Sequence, residues 1–83
     1  VMCSISGYGQ DGPLAQAAGH DINYVGYAGM LDQLASKDGT PSGTPIVPNV
    51  QIGDLLGGAL TAVVGILAAL VDARATGRGR YVD

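Results

Sequence analysis

The longest uninterrupted pattern in the chain is apolar. From Leu55 to Val71 seventeen consecutive residues carry no charge, and Asp54 and Asp72 bracket the run. Apolar residues occur nearly all round a helical projection of this stretch, which predicts a long helix buried on most sides. The expected helix spans about Asp54 to Ala75, with Arg74 near its negative end and Gly77 as its C-cap. Asp54 falls at the mouth of that helix, where a carboxylate can accept hydrogen bonds from free N–H groups and the helix dipole favours its ionised form.

Upstream, Val1-Met2-Cys3-Ser4-Ile5-Ser6 alternates weakly and is rich in β-formers, which predicts a strand. Cys3 is then a small core residue. Gly7-Tyr8-Gly9-Gln10-Asp11-Gly12 matches the G-x-G-x-x-G spacing of a dinucleotide-binding turn. Pro13 and a small, polar stretch follow where that motif requires an apolar helix, so the glycines are read as a tight surface loop, whose backbone can also approach a ligand closely. Ile22, Val25 and Gly29, with Tyr24 and Ala28 beside them, share one helical face. A short helix is therefore expected from His20 or Asp21 to about Leu31. Residues 32–49 hold Lys37-Asp38-Gly39-Thr40-Pro41-Ser42-Gly43-Thr44-Pro45 and Pro48-Asn49, which predict a long loop. Gly79 leads into a last strand, Tyr81-Val82-Asp83.

The expected order is strand, loop, short helix, long loop, long helix, strand. This is an α/β arrangement. Eighty-three residues bury only roughly 60% of their unfolded surface, so the core of such a chain alone is thin. The opening and closing strands look cut, and the chain is expected to be an internal segment, residues 1–83, of a larger domain.

Composition narrows the partners. Seven Asp and no Glu stand against four basic residues, for a net charge of −3, with no basic patch or aromatic platform for nucleic acid. Nucleic acid is not an expected partner. A single cysteine offers neither a disulfide framework nor metal-ligand spacing and suits a reducing, cytoplasmic setting. The apolar run reaches the short end of the length that spans a bilayer, and its Gly and Ala residues resemble the small faces of membrane helix pairs. Against that, two aspartates bracket it closely and no Trp or Tyr belt flanks it. A buried helix of a soluble protein is expected, with no membrane.

The candidate chemistry lies in His20, Asp21 and Asp54. A histidine at a helix start serves as a hydrogen-bonded structural group or as a proton-transfer group. Asp21 can cap that helix, or orient the histidine and favour its protonated form. Asp54 can be a cap only, or a reactive carboxylate.

Several motifs, in order, resemble the family III CoA-transferases. They are Ser6-Gly7-Tyr8-Gly9-Gln10-Asp11-Gly12-Pro13 after a strand, Ala18-Gly19-His20-Asp21-Ile22-Asn23-Tyr24, Val50-Gln51-Ile52-Gly53-Asp54 with Gly57-Gly58, and Thr76-Gly77-Arg78-Gly79 before a strand. The likeness covers essentially the whole chain and is strongest to the alpha-methylacyl-CoA racemase branch. It implies a Rossmann-like large domain, a separate small domain and an interlocked homodimer. It also implies roles. Asp54 matches the aspartate that is the acyl-accepting nucleophile of the transferases and an acid/base of the racemases. His20 matches the second acid/base of the racemases, at a position where transferases typically carry another residue. Asp21 matches a residue supporting the histidine, and Gly19, Tyr24 and Gly53 match positions lining the CoA thioester site. Gly53 departs from a frequent alanine, a change expected to be tolerated because both residues are small.

Those roles make chemical sense. Inverting a stereocentre beside a thioester takes one base on one face and one acid on the other, through a planar enolate. His20 and Asp54 would hold one proton between them in either direction, so their titration is coupled. The enolate oxygen needs donors, which N–H groups at a helix start supply. The implied activity is racemisation of 2-methylacyl-CoA thioesters. The alternative is CoA transfer through an aspartyl-acyl anhydride. Neither calls for a metal or redox cofactor, and coenzyme A enters as part of the substrate.

Overall fold

A computed structural model describes residues 1–34 and 44–83. Strand β1 (Met2–Cys3) is followed by helix α1 (Asp21–Tyr27), helix α2 (Met30–Gln33), a π-helical segment (Ile52–Leu60), helix α3 (Thr61–Thr76) and strand β2 (Tyr81–Val82). The two strands pair in parallel, with Met2 opposite Tyr81 and Cys3 opposite Val82. Met2 N–H donates to Arg80 O (3.1 Å) and Ser4 N–H to Val82 O (2.9 Å). A parallel pair requires a crossover, and the helices between the strands supply it. The arrangement is α/β, as the sequence pattern predicts.

Three boundaries differ from that pattern. The short helix does not run unbroken to Leu31: Gly29 adopts a left-handed conformation (φ 77°) and divides it into α1 and α2. Glycine tolerates this conformation where other residues pay a steric cost. The strand expected over Val1 to Ser6 forms only at Met2–Cys3, and half-buried Cys3 lines an open cleft rather than a closed core. The long helix opens as a π-helix. Gln51 precedes it, so Asp54 lies in the first turn and not at the cap. Gly57 and Gly58 disfavour the α-helix through their backbone entropy, and the Thr61 hydroxyl bonds back to the Gly57 carbonyl and to Gly58 O (3.3 Å). Both features favour a wider turn. Of the loop expected over 32–49, residues 35–43 lie outside the described residues, and its first two positions belong to α2.

The helix ends as its sequence predicts. Gly77 is left-handed (φ 72°), and its N–H donates to Ala73 O at 2.8 Å. The Gly7–Gly12 stretch forms bends and turns, with Ala15 N–H donating to Gly12 O, and no helix follows it. Asp72 pairs with Arg80 (2.7 Å), joining the end of α3 to the start of β2. The Asp72 carboxylate, as hydrogen-bond partner and as charge, raises the Arg80 pKa above its usual range. The pair is exposed enough that water screens most of its contribution. At Gly65 the helix lies so close to β2 that a Cβ there would approach Val82 Cγ1 to 2.8 Å.

Among the described residues only Val25 and Ala69 are buried apolar groups. Leu55, Leu56, Leu60, Val63, Val64, Leu67 and Val71 are each half or more exposed. The chain extends 57 × 25 × 18 Å with a radius of gyration of 16.8 Å, against roughly 12 Å for a compact domain of this length. The helical stretch Ile52–Thr76 is also long and apolar enough, by length and composition, to cross a membrane. Such an apolar face requires a cover. The 83-residue chain by itself should bind an apolar dye such as ANS and lack a cooperative thermal transition; a sharp melt of a monomer without dye binding would contradict this reading.

Candidate functional site

The site forms where the start of α1 meets the start of the π-helical segment. His20 is the N-cap of α1, with extended backbone (φ −129°, ψ 171°). Its N–H donates to Asn23 Oδ1 (2.9 Å), and Asn23 N–H donates back to His20 O (2.8 Å). This local exchange, a capping box between His20 and Asn23, fixes the first turn. Asp21, the next residue, does not cap α1. Its Oδ1 accepts the N–H of Asp54 at 2.9 Å, across 33 residues of sequence.

Gly53 makes that approach possible. A Cβ on it would sit 3.0 Å from Asp21 Oδ1 and 3.2 Å from Tyr24 Cβ. On the other side, Tyr24 packs against two more glycines. A Cβ at Gly7 would meet Tyr24 Cε1 at 2.8 Å, and one at Gly19 would meet Tyr24 Cε1 at 2.8 Å and Tyr8 Oη at 2.9 Å. Tyr8 contacts Tyr24 edge-on, with ring centroids 5.4 Å apart, and Tyr27 likewise at 5.9 Å. Partial desolvation, then the neighbouring Tyr27 and Tyr24 phenols, hold the Tyr8 pKa above its ordinary value, so the phenol is a neutral donor at physiological pH.

A cleft of about 540 Å³ lies beside this contact, lined by Ser6, Gly7, Tyr24, Gly53, Asp54 and Gly57 among others. A second cleft, of about 470 Å³ and between the strands and α3, shares the Gly57-Gly58 pair and contains Cys3, Ser4, Thr61 and Asp83. The first is the candidate site, because it alone holds Asp54. The structure thus brings Asp54, Gly53 and Tyr24 to one cleft and attaches Asp21 to the Asp54 backbone. Gly19 packs behind Tyr24. His20 is exposed and reaches this region through its neighbour Asp21 rather than by lining the cleft. Ser6 and Gly7 line the cleft as well. Their signal in the sequence was the glycine-rich loop after β1, whose spacing suggests close backbone approach but not which ring approaches.

The model of CoA-transferase family III matches residues 1–83. The chain belongs to CoA-transferase family III. It is 39% identical over all 83 residues to alpha-methylacyl-CoA racemase of Homo sapiens, covering 21% of that protein. It is 44% identical over 70 residues, 84% of this chain, to a CaiB/baiF CoA-transferase family protein of Caenorhabditis elegans, covering 20% of it. Succinyl-CoA:glutarate CoA-transferase of Homo sapiens is also 39% identical over the 83 residues, with 18% of its length covered. The chain spans about a fifth of the length of these relatives. Racemase and transferase relatives stand at equal identity, so the match establishes the family without choosing a reaction.

The close packing at Gly53 qualifies the expectation that alanine is tolerated there. A methyl group at 3.0–3.2 Å makes Asp21 and Tyr24 yield by a few tenths of an ångström. In the full-length protein, Gly53→Ala should cost less than about 1 kcal/mol, because the helix-propensity gain offsets the crowding, whereas Gly53→Val should cost about 1–3 kcal/mol. Chemical denaturation of the two variants checks this, and equal stabilities would refute it.

Proposed function

We propose that this chain carries the proton-transfer centre of an acyl-CoA racemase that inverts the α carbon of 2-methylacyl-CoA thioesters. The observation that carries the reading is the Asp21–Asp54 hydrogen bond, which draws the His20 end of α1 to the turn bearing Asp54. In this reading His20 and Asp54 act as opposed bases. One removes the α proton, an enolate forms, and the other returns a proton to the opposite face. Neutral His20 with protonated Asp54 works in one direction, and the reverse pair in the other. Backbone N–H groups near the helix starts stabilise the enolate oxygen. The proton balance closes with these two groups, so the reaction draws on no metal or redox cofactor. Tyr24, with Gly19 and Gly53 beside it, shapes the thioester end of the cleft.

The chain works within a longer polypeptide, since its family III relatives are about five times its length. That polypeptide comprises a Rossmann-like large domain containing residues 1–83 and a small domain, and two copies of it interlock as a homodimer in the cytoplasm. Ile52–Thr76 is a core helix of that domain and not a membrane span, because α3 already uses Gly65 and Asp72 for contacts with β2 and Arg80. Nucleic acid has no place in this scheme.

Transfer of CoA is the second reading, favoured by the equally similar succinyl-CoA:glutarate CoA-transferase. There Asp54 attacks the thioester carbonyl and CoA leaves as the thiolate; the thiolate then attacks the aspartyl carbonyl of the anhydride, which releases the donor acid as carboxylate and leaves an aspartyl-CoA thioester. A second carboxylate attacks that thioester to form a new anhydride, and the freed thiolate takes its acyl group, which regenerates Asp54. The two are separated in heavy water. With a 2-methylacyl-CoA and no acceptor acid, the full-length protein should place deuterium at the α carbon while both stereoisomers appear. His20→Ala should slow this about 10²- to 10⁴-fold. Acceptor-dependent CoA exchange without α deuteration, hydroxylamine trapping at Asp54 and little effect of His20→Ala would assign the transferase instead.

A further inference from the structure

We propose that Asp21 is a positioning residue for Asp54, acting through the backbone of residue 54 and not through the charge of the neighbouring histidine. The inference rests on the assignment of Asp54 as a reacting group. At the start of a helix the first N–H groups have no partner within the helix. The Leu55 N–H already bonds to Gln51 O at 2.9 Å, while the Asp54 N–H is taken by Asp21 Oδ1, also at 2.9 Å. Both residues are half-buried, and no Cβ separates them because position 53 is glycine. One carboxylate oxygen therefore sets where the 52–60 segment begins relative to α1. The direction in which the Asp54 side chain leaves the backbone follows from that.

The segment that carries Asp54 has a particular need for this external anchor. It is π-helical over Ile52–Leu60, a geometry that is rare outside single-turn bulges and concentrates at functional sites. Asn23 already secures the first turn of α1 by bonding the His20 N–H, which leaves the Asp21 carboxylate available to bridge to the second element. A displacement of about 1 Å at a reacting group costs roughly 10²-fold in rate. The expected signature of losing the anchor is thus a fall in kcat with KM little changed.

The test compares Asp21→Ala, Asp21→Ser and Asp21→Asn in the full-length protein. Asparagine keeps an acceptor oxygen in place and removes the charge. Serine preserves a small polar residue at the helix start, but its hydroxyl ends one bond short of the position from which Asp21 Oδ1 reaches the Asp54 amide, and it serves if the alanine variant does not fold. Two readouts are taken: hydrogen exchange at the Asp54 amide, and kcat and KM in whichever of the α-deuteration and CoA-exchange assays is active. Alanine and serine should speed exchange at the Asp54 amide by about tenfold or more and lower kcat about 10- to 100-fold. Asparagine should restore both to within a few-fold of the parent. Loss in Asp21→Asn equal to that in Asp21→Ala would overturn the inference in favour of a charge effect on His20, as would unchanged exchange at Asp54 in the alanine and serine variants. Failure of the underlying assignment looks different: Asp54→Ala would then remain active, while the exchange at the Asp54 amide would still respond to Asp21.

Discussion

The hydrogen bond from the Asp54 amide to the Asp21 carboxylate ties the start of α1 to the start of the 52–60 segment. It spans 33 residues and links two helix starts that share no backbone continuity. Hydrogen bonds to a charged group contribute about 1.5–3 kcal/mol, toward the lower end where both partners are half exposed. Its geometric effect matters more than its energy. By fixing the beginning of the 52–60 segment against the beginning of α1, it places Asp54, Gly53 and Tyr24 on one cleft, and it holds the His20 end of α1 beside them.

Small residues are the condition for that bond. Gly53 admits the carboxylate, Gly7 and Gly19 admit the Tyr24 ring, and Gly65 admits Val82 of β2. At Gly7, Gly19 and Gly65 a Cβ would come closer than 3.0 Å to a neighbouring side chain, whereas at Gly53 the neighbours need yield only by a few tenths of an ångström. The glycines are thus the complement of the tyrosines. Tyr8, Tyr24 and Tyr27 form the one aromatic cluster among the described residues, and the Tyr24 ring with the Tyr8 hydroxyl occupies the space that Gly7 and Gly19 leave. The cost of so many glycines appears in the helix, where Gly57-Gly58 accompanies a π-helical stretch instead of an α-helix.

Exposure of the apolar face follows from chain length rather than from weak patterning. The 52–76 stretch offers apolar side chains on every side, yet of its residues only Ala69 is buried among the described residues. Relatives in CoA-transferase family III are about five times longer, a length in keeping with a face this apolar finding its cover in a larger body. The same face explains why length and composition alone make the stretch resemble a membrane span.

The α/β order, the C-cap at Gly77 and the absence of a helix after Gly12 were all legible in the sequence, because each depends on local chemistry: apolar periodicity, left-handed glycine, or a proline that interrupts a motif. The family was legible for the same reason, since its motifs are short and contiguous. The division of the short helix at Gly29 and the π-helical opening were not. Both arise from competition among hydrogen-bond registers that differ little in local preference, and packing decides between them. The role of Asp21 was the least accessible. Its sequence neighbours suggest a cap or a partner for His20, and only the meeting of two distant helix starts shows that its oxygen faces the amide of Asp54. What the sequence determined by itself was which residues are small, apolar or ionisable and in what order. Which carboxylate serves which backbone group was settled by tertiary structure, because a hydrogen bond depends on proximity in space, and proximity across 33 residues is created by folding.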